Sequence, residues 1–445
     1  MFERLLHHPF MSTVALRESG AEALIDAMLS VELALAEAEQ ARGIIPPDTA
    51  EAMREALSTL ALDADDLFQG CVDGGNMAIP FVSQCKAALP PALVPFFHRG
   101  ATSQDLVDTA LMLVLRPRLT RSGALLSDAL SAGRDVMMAH QETPMVGRTL
   151  MQQALPISFG AKVAQWLYGL ALARERLEEA RASHLLVQFG GAVGVHSGLD
   201  EVGLSIMDDM AHRLGLSAPI LPWHTQRQPI LLLAGAMDAV AVAVEKIATD
   251  VALLCQTEIG ELSEPAGDGV GGSSSMPHKR NPVACARIRA AARHIHADAS
   301  LISTSGASPL ERGLGEWHAE WQPLLAMAAL LEGALESTCA LLQGLEVHQE
   351  RMQANLQLTG GAIMAEPATR LLSEVMSAAE ARALAREAAL EAQTTGQDLA
   401  SVLMKDARVN QHISHDDVAR VVAPASYLGS SLAQVDRMDA WLSSH

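Results

Sequence analysis

Between Gln228 and Leu262 the chain is rich in Ala, Val, Leu and Ile, with charges only at Asp238, Glu245, Lys246, Asp250, Glu258 and Glu261. A helix this apolar has no broad polar face to turn to water, so it belongs in the middle of a bundle. The rest of the core must be made the same way. The chain is 49% hydrophobic but only 3% aromatic, which leaves Ala, Leu, Val, Ile and Met and favours helix over sheet. Helical patterning recurs over Ala21–Arg42, which stops at Gly43 before Pro46-Pro47, over Pro47–Leu60, and over Leu106–Ala139, where Pro117 predicts an interruption. It returns over Pro156–Leu185, Pro282–Ile302 and Glu316–Leu345. Helices of about 30 residues are about 45 Å long, a length that suits an elongated bundle. Apolar faces left over on such helices point to other subunits. Cys71–Pro80 reads as a polar bend and Gly190–Gly198 as a glycine-rich connector. From about Ala362 the helices shorten (Ala378–Gln393, Gly396–Lys405, His415–Ala423). The expected architecture is all-α in three domains: residues 1–110 N-terminal, 111–361 a central bundle and 362–445 a C-terminal cap, with no strand-rich block.

A net charge of −20, a pI near 5.2 and the lack of a long basic tract argue against nucleic acid as a partner. No uncharged apolar run of about 18 residues and no charged-then-apolar leader are seen, so a cytoplasmic protein without a membrane partner is expected. Cys71, Cys85, Cys255, Cys285 and Cys339 are scattered, form no CxxC pair, and read as reduced thiols.

Against this acidic background one segment reverses sign. From Met276 to His296 there are five Lys or Arg, three His and no Asp or Glu. The segment opens with Gly272-Ser-Ser-Ser-Met-Pro-His-Lys-Arg-Asn-Pro282, behind Gly267, Gly269 and Gly271. Serines supply proton donors and acceptors, Lys279 and Arg280 supply charge, and Asn281-Pro282 reads as a helix start whose dipole adds partial positive charge. The mixture fits a site that binds a carboxylate and moves a proton beside it. A Ser/Gly linker ahead of a helix is the plainer reading of the same residues. Gly267-x-Gly269-x-x-Gly272 formally matches a dinucleotide fingerprint, but it follows a long helix rather than a strand.

The segment closely resembles the signature loop of the fumarase/aspartase superfamily. Gly100-Ala-Thr-Ser-Gln-Asp-Leu-Val-Asp-Thr109 resembles that family's first substrate-binding block and Gly147-Arg-Thr-Leu-Met-Gln-Gln153 its second, with Leu356-Gln-Leu-Thr-Gly-Gly-Ala-Ile363 extending the likeness toward the end of the chain. The resemblance implies an all-helical, three-domain fold with a central five-helix bundle, a homotetramer, and active sites each assembled from three subunits. It implies β-elimination or its reverse: a base takes the proton next to a carboxylate, donors hold the resulting aci-carboxylate, and a leaving group departs. Carried over by alignment, Ser273 is the base. Lys279 and Asn281 match positions that grip a substrate carboxylate, and Thr102, Ser103 and Gln152 match other substrate-binding positions. No metal or cofactor is implied; His294-x-His296 alone is weak as a metal motif.

One departure sorts the branches. Lyases of the family carry Thr-His-x-Gln in the second block, and here it is Thr149-Leu150-Met151-Gln152. The histidine assigned as, or beside, the leaving-group acid is missing. A carboxylate leaving group does not need it: carboxylic acids have pKa about 4 against about 15.7 for water, a gap worth roughly 16 kcal/mol. That resembles the family's lactonising cycloisomerases, in which a carboxylate of a small tricarboxylate substrate attacks a conjugated double bond and the carbon next to another carboxylate is protonated. Ser273 would then be the base for lactone opening and the proton donor for closure.

His98 and Arg99 in Phe97-His98-Arg99-Gly100, His224 and Arg227 in Trp223-His224-Thr225-Gln226-Arg227, and Arg312 and His318 in the Glu311–His318 stretch point the same way. A structural reading stands beside the substrate-contact one for His98, as a bend residue, and for His224 and Arg227, as interface residues; Arg312, in a Gly-rich loop beside Trp317, favours substrate contact, and His318 is open to either reading. Ser274 and Met276 are further substrate-binding candidates, while for Ser274 and Ser275 shaping the loop is the plainer reading. An adenylosuccinate-lyase-like branch also fits Thr102-Ser103-x-Asp105 and Pro277–Asn281, but Leu150 opposes it, as does Asn76 where that branch carries histidine. A catalytically silent helical scaffold is the third reading, opposed by the intact Ser273, Lys279 and Asn281.

Overall fold

The computed structural model describes residues 8–265, 271–272, 276 and 278–444. It is all-α. Six of its helices exceed 20 residues: Ala21–Ala41, Ser103–Ala139, Phe159–His184, Gln228–Leu254, Val283–Ser305 and Glu316–Gln343. The expected helix over Gln228–Leu262 ends early, at Leu254, and Leu262–Ser263 is instead a short strand paired with Glu346–Val347. Pro117 does not break its helix. Its ring removes one N–H from a 37-residue ladder, while Leu106, Val107, Ala110, Leu111, Leu115 and Leu119 are buried around it. That packing outweighs the roughly 3 kcal/mol a mid-helix proline costs. Cys71–Pro80 is not one bend either. Helices Ala64–Gly74 and Ala78–Ala88 meet there, Gly75 ends the first at φ 78°, and Pro80 sits in the first turn of the second, where a missing N–H costs little.

Two compact units are defined. The first holds Met1–Ser127, Leu172–Glu245 and Arg287–Ser337; the second holds Asp128–Ala171, Lys246–Ala286 and Thr338–His445. In the first unit, Ala21–Ala41 packs on Val202–Leu214, and Gly333 lies against the backbone of Phe10–Ser12, where a Cβ would come within 2.3 Å of the Phe10 carbonyl oxygen. In the second, a β-hairpin (Pro144–Thr149 and Gln152–Ser158) packs on Gln349–Leu356, and Val146 joins a small core with Ile363, Met364, Leu372, Ala385, Leu399 and Val409 from the C-terminal helices. That hairpin was not expected from the sequence. Glu316–Gln343 is long and apolar enough to cross a membrane by length and composition alone, and 78% of its apolar window is buried. None of the five cysteines is in a disulfide.

Candidate active site

The residues read from the sequence fall into two groups, one in each unit. In the first unit, Asp105 organises the site. Asp and Glu carboxylates accept several hydrogen bonds at once, and this one takes His224 Nε2 on Oδ1 at 2.6 Å and the backbone N–H groups of Thr102 and Gly191 on Oδ2 at 2.9 Å each. The Thr102 bond caps the helix that opens at Ser103. Arg312 donates to the carbonyls of Gly191 and Ala192, so the glycine connector is held from both sides. The side chains of Thr102 and Ser103 stay half-buried at this junction, and no hydrogen-bond partner is described for either.

Arg227 is spent inside the unit. Its guanidinium forks onto Asp108 and Glu320, lies 4.7 Å from the Trp223 ring centroid, and reaches the Trp223 carbonyl. All three charged side chains are 2% exposed or less. Gln104 and Trp317 also donate to Asp108. Five N–H donors thus have internal acceptors, which leaves none for a substrate carboxylate; burial together with the two carboxylates accounts for this. Burial raises the Glu320 carboxyl, with Arg227 pulling it back. His98 has φ 59° and pairs with buried Glu32 at 2.6 Å, while Arg99 donates to the Ile44 carbonyl. His318 is exposed and stacks beside Trp317 and Trp321, with centroids 5.0 and 4.9 Å away.

In the second unit, the signature loop is pinned at its base. Asn281 donates its backbone N–H to the Gly271 carbonyl at 2.9 Å, and Gly272 bridges Arg280. Gly271 has φ +68°, and a Cβ there would come within 2.6 Å of the Asn281 carbonyl oxygen, so only glycine fits. Met276 accepts a backbone hydrogen bond from Lys279. Ser273 and Ser274 lie outside the described residues. Lys279 and Asn281 line a 550 Å³ cavity with Cys255, Ser263, His278 and Glu264. The two loop cations divide there. Arg280 is committed, bidentate to Glu346 and donating to the Glu264 carbonyl. Lys279 is exposed, and no acceptor is described for its ammonium.

The helix start expected at Asn281-Pro282 comes at Val283, and its anion is supplied from within. Glu264 accepts the backbone N–H groups of Ala284 and Cys285 at 2.9 and 2.7 Å. The dipole there serves this carboxylate rather than a ligand.

The second block is the turn of the hairpin. Leu150 and Met151 adopt φ 49° and 64°, and at 97% and 72% exposure they stand clear of the unit. Gln152, also exposed, pairs with Thr149. Arg148 just before the turn is bidentate to buried Glu261 at 2.7 and 2.8 Å, which fixes the hairpin. Asp108, Glu320 and Glu264 were not singled out by sequence reading, and Asp105 entered only within Thr102-Ser103-x-Asp105. The one available signal was Asp105 and Asp108 at an i, i+3 spacing in residues 103–115, which carry no other charge. Among the described residues, no three His, Cys, Asp or Glu side chains cluster as a metal site, and His296 pairs with Asp238 and Glu245.

This fold and these blocks have known counterparts. A family model described as "Lyase" matches residues 20–296, and one for the adenylosuccinate lyase C-terminus matches residues 361–438. The chain belongs to this lyase family, the fumarase/aspartase superfamily of the signature loop. Within it, the chain is 38% identical to a 3-carboxy-cis,cis-muconate cycloisomerase of Bradyrhizobium diazoefficiens, over 97% of this chain and 96% of that one. It is likewise 38% identical to a nitrosuccinate lyase of Streptomyces davaonensis, over 93% and 90%. The solved 3-carboxy-cis,cis-muconate lactonizing enzyme of Pseudomonas putida superposes with a TM-score of 0.93 at 33% identity, covering 99% of each chain.

Proposed function

We propose that this chain is a cycloisomerase that needs no cofactor and converts 3-carboxy-cis,cis-muconate to 4-carboxymuconolactone, a step in the protocatechuate (β-ketoadipate) route of aromatic degradation. The observation that carries the reading is end-to-end likeness to enzymes of that name in sequence and in fold. Leu150 agrees with it: a carboxylate that leaves or attacks needs no protonating histidine. In lactone closure, Lys279 and Asn281 hold one substrate carboxylate, and Thr102 and Ser103 offer hydroxyls to another. The third carboxylate adds to the double bond, and Ser273 delivers the proton to the carbon next to the bound carboxylate. The developing negative charge spreads onto that carboxylate, where fixed donors stabilise it. Gln152 orients the substrate, and His98, Arg99, His224, Ser274, Met276, Arg312 and His318 frame it. Arg227 acts from behind, through Asp108. The chain works as a cytoplasmic homotetramer whose sites are shared between subunits. Its three parts, residues 1–110, 111–361 and 362–445, follow the family's division.

A second reading has a specific observation behind it. The nitrosuccinate lyase relative is as similar as the cycloisomerase. Nitrite is a weakly basic leaving group, so its expulsion would tolerate Leu150 equally well. An adenylosuccinate-lyase-like elimination has Thr102-Ser103-x-Asp105, Pro277–Asn281 and the C-terminal family match behind it, with Leu150 and Asn76 against it. Ser273→Ala tests the shared chemistry of all three. Retained assembly with lost turnover is expected, and unchanged activity would remove Ser273 from the mechanism.

A further inference from the structure

In the second unit, Lys162 occupies an unusual position. It stands in the first turn of the Phe159–His184 helix, where the helix dipole disfavours a cation. Its side chain lies between two adjoining cavities of 640 and 350 Å³, both of which it lines. No acceptor within hydrogen-bonding distance of its ammonium is described. Asp250, which lines both cavities with it, is already engaged: Lys246 Nζ reaches both of its oxygens at 2.6 and 2.7 Å, and Trp166 Nε1 donates to it at 2.7 Å. Arg148 is consumed by Glu261. Two lysines and one aspartate on the larger cavity leave one positive charge uncompensated there, in a chain of net charge −20. Burial depresses the lysine, Asp250 and Glu261 pull the other way, and Lys246 and Arg148 add to the depression.

The rest of the larger cavity is largely apolar, with Gln165, Ser430 and Gln434 adding exposed polar side chains. Leu155, Pro156, Ile157, Trp166 and Leu428 supply surface, and Tyr427 spends its hydroxyl on Glu366. A half-buried ammonium without an acceptor beside an apolar wall is complementary to one kind of molecule: a single anionic head on an apolar body. We infer that this cavity binds a small amphipathic monocarboxylate, its carboxylate on Lys162 and its apolar or aromatic body against Trp166, Leu155 and Leu428. A multiply charged anion fits poorly, since one positive charge is on offer. This site is separate from the Lys279 cavity, with which it shares no lining residue.

Benzoate is the probe, titrated calorimetrically into the full-length protein, with benzyl alcohol as the uncharged control. Saturable benzoate binding is expected, weakened at least about tenfold in Lys162→Met and kept within about threefold in Lys279→Ala, with no competition from benzyl alcohol. Because Lys162→Met can disturb packing, Lys162 modification by reductive methylation is also followed by peptide mapping of the native protein. Benzoate should slow it selectively over exposed lysines. No binding to the native protein, binding unchanged by Lys162→Met, binding lost in Lys279→Ala, or no protection of Lys162 would each overturn the inference. None of these outcomes depends on turnover, so they stand apart from the proposed reaction.

Discussion

His224 Nε2 lies 2.6 Å from Asp105 Oδ1, and the other oxygen of that carboxylate holds the backbone of Thr102 and Gly191. One side chain therefore fixes a histidine, a helix start and a glycine connector that are far apart in sequence. Removing one partner of such a buried pair typically costs about 3–5 kcal/mol, because the other is left unpaired. Asp105→Asn should lower the urea midpoint accordingly and cut turnover more than a substitution at exposed His318. An unchanged midpoint would show that the carboxylate organises nothing.

Arg227 between Asp108 and Glu320 makes a sharper comparison. Lysine keeps the charge but loses the fork. Arg227→Lys should destabilise by about 2–4 kcal/mol in denaturant unfolding, and KM should stay near the native value in whatever fraction folds. A large rise in KM with native stability would instead make Arg227 a substrate ligand.

Glu39 gives a pH signature. Burial raises its carboxyl to about 7, against Arg99 and with help from Glu32, and neither of its oxygens has a hydrogen-bond partner. A carboxyl raised in the folded state favours folding while protonated. That contribution is complete below the unfolded value of 4.5 and is lost as pH rises through about 7. A few kcal/mol at most is at stake, set by the gap between 4.5 and about 7. Glu39→Gln should therefore match the native stability near pH 5 and exceed it at pH 8. Parallel stability curves across that range would contradict the assignment.

Gly271→Ala tests the base of the signature loop. The added methyl meets the Asn281 carbonyl, and the backbone sits at φ +68°. Turnover should fall at least about tenfold, equivalent to about 1.4 kcal/mol, while the circular dichroism spectrum stays unchanged. Native rates would show that the loop does not need this closure.

The long helices were legible because their apolar residues recur with helical period and because few aromatic or β-branched runs compete. The hairpin was not. Its turn is Leu150-Met151, with both residues in the left-handed region that Gly, Asn or Asp normally fill, so no turn signal stood in the sequence. The strain is borne by the Arg148–Glu261 fork and the paired strands, which are long-range facts. Glu264 was missed for a similar reason: it caps a helix about twenty residues further on, with the signature loop between. Pro117 was overread, since packing on both sides of a buried helix decides whether it breaks. The cationic segment was legible as chemistry, but which cation is without an acceptor among the described residues was not. Lys279 and Arg280 are neighbours in sequence, and only the fold gives Arg280 to Glu346.

Leu150→His restores the residue that lyases of the family carry. If a carboxylate is the group that adds and leaves, the cycloisomerase rate should stay within about threefold, since no acid is required at that step. A large acceleration would mean that the leaving group does need a proton.

The most direct measurement mixes the native protein with 3-carboxy-cis,cis-muconate and follows the ultraviolet loss of its conjugated diene, with nitrosuccinate and adenylosuccinate in parallel cuvettes. Rapid loss of the diene, with the other two substrates untouched, is the expected result. An unreacted diene alongside nitrite release or adenylosuccinate cleavage would contradict the cycloisomerase and assign the chain to the eliminating branch of its family.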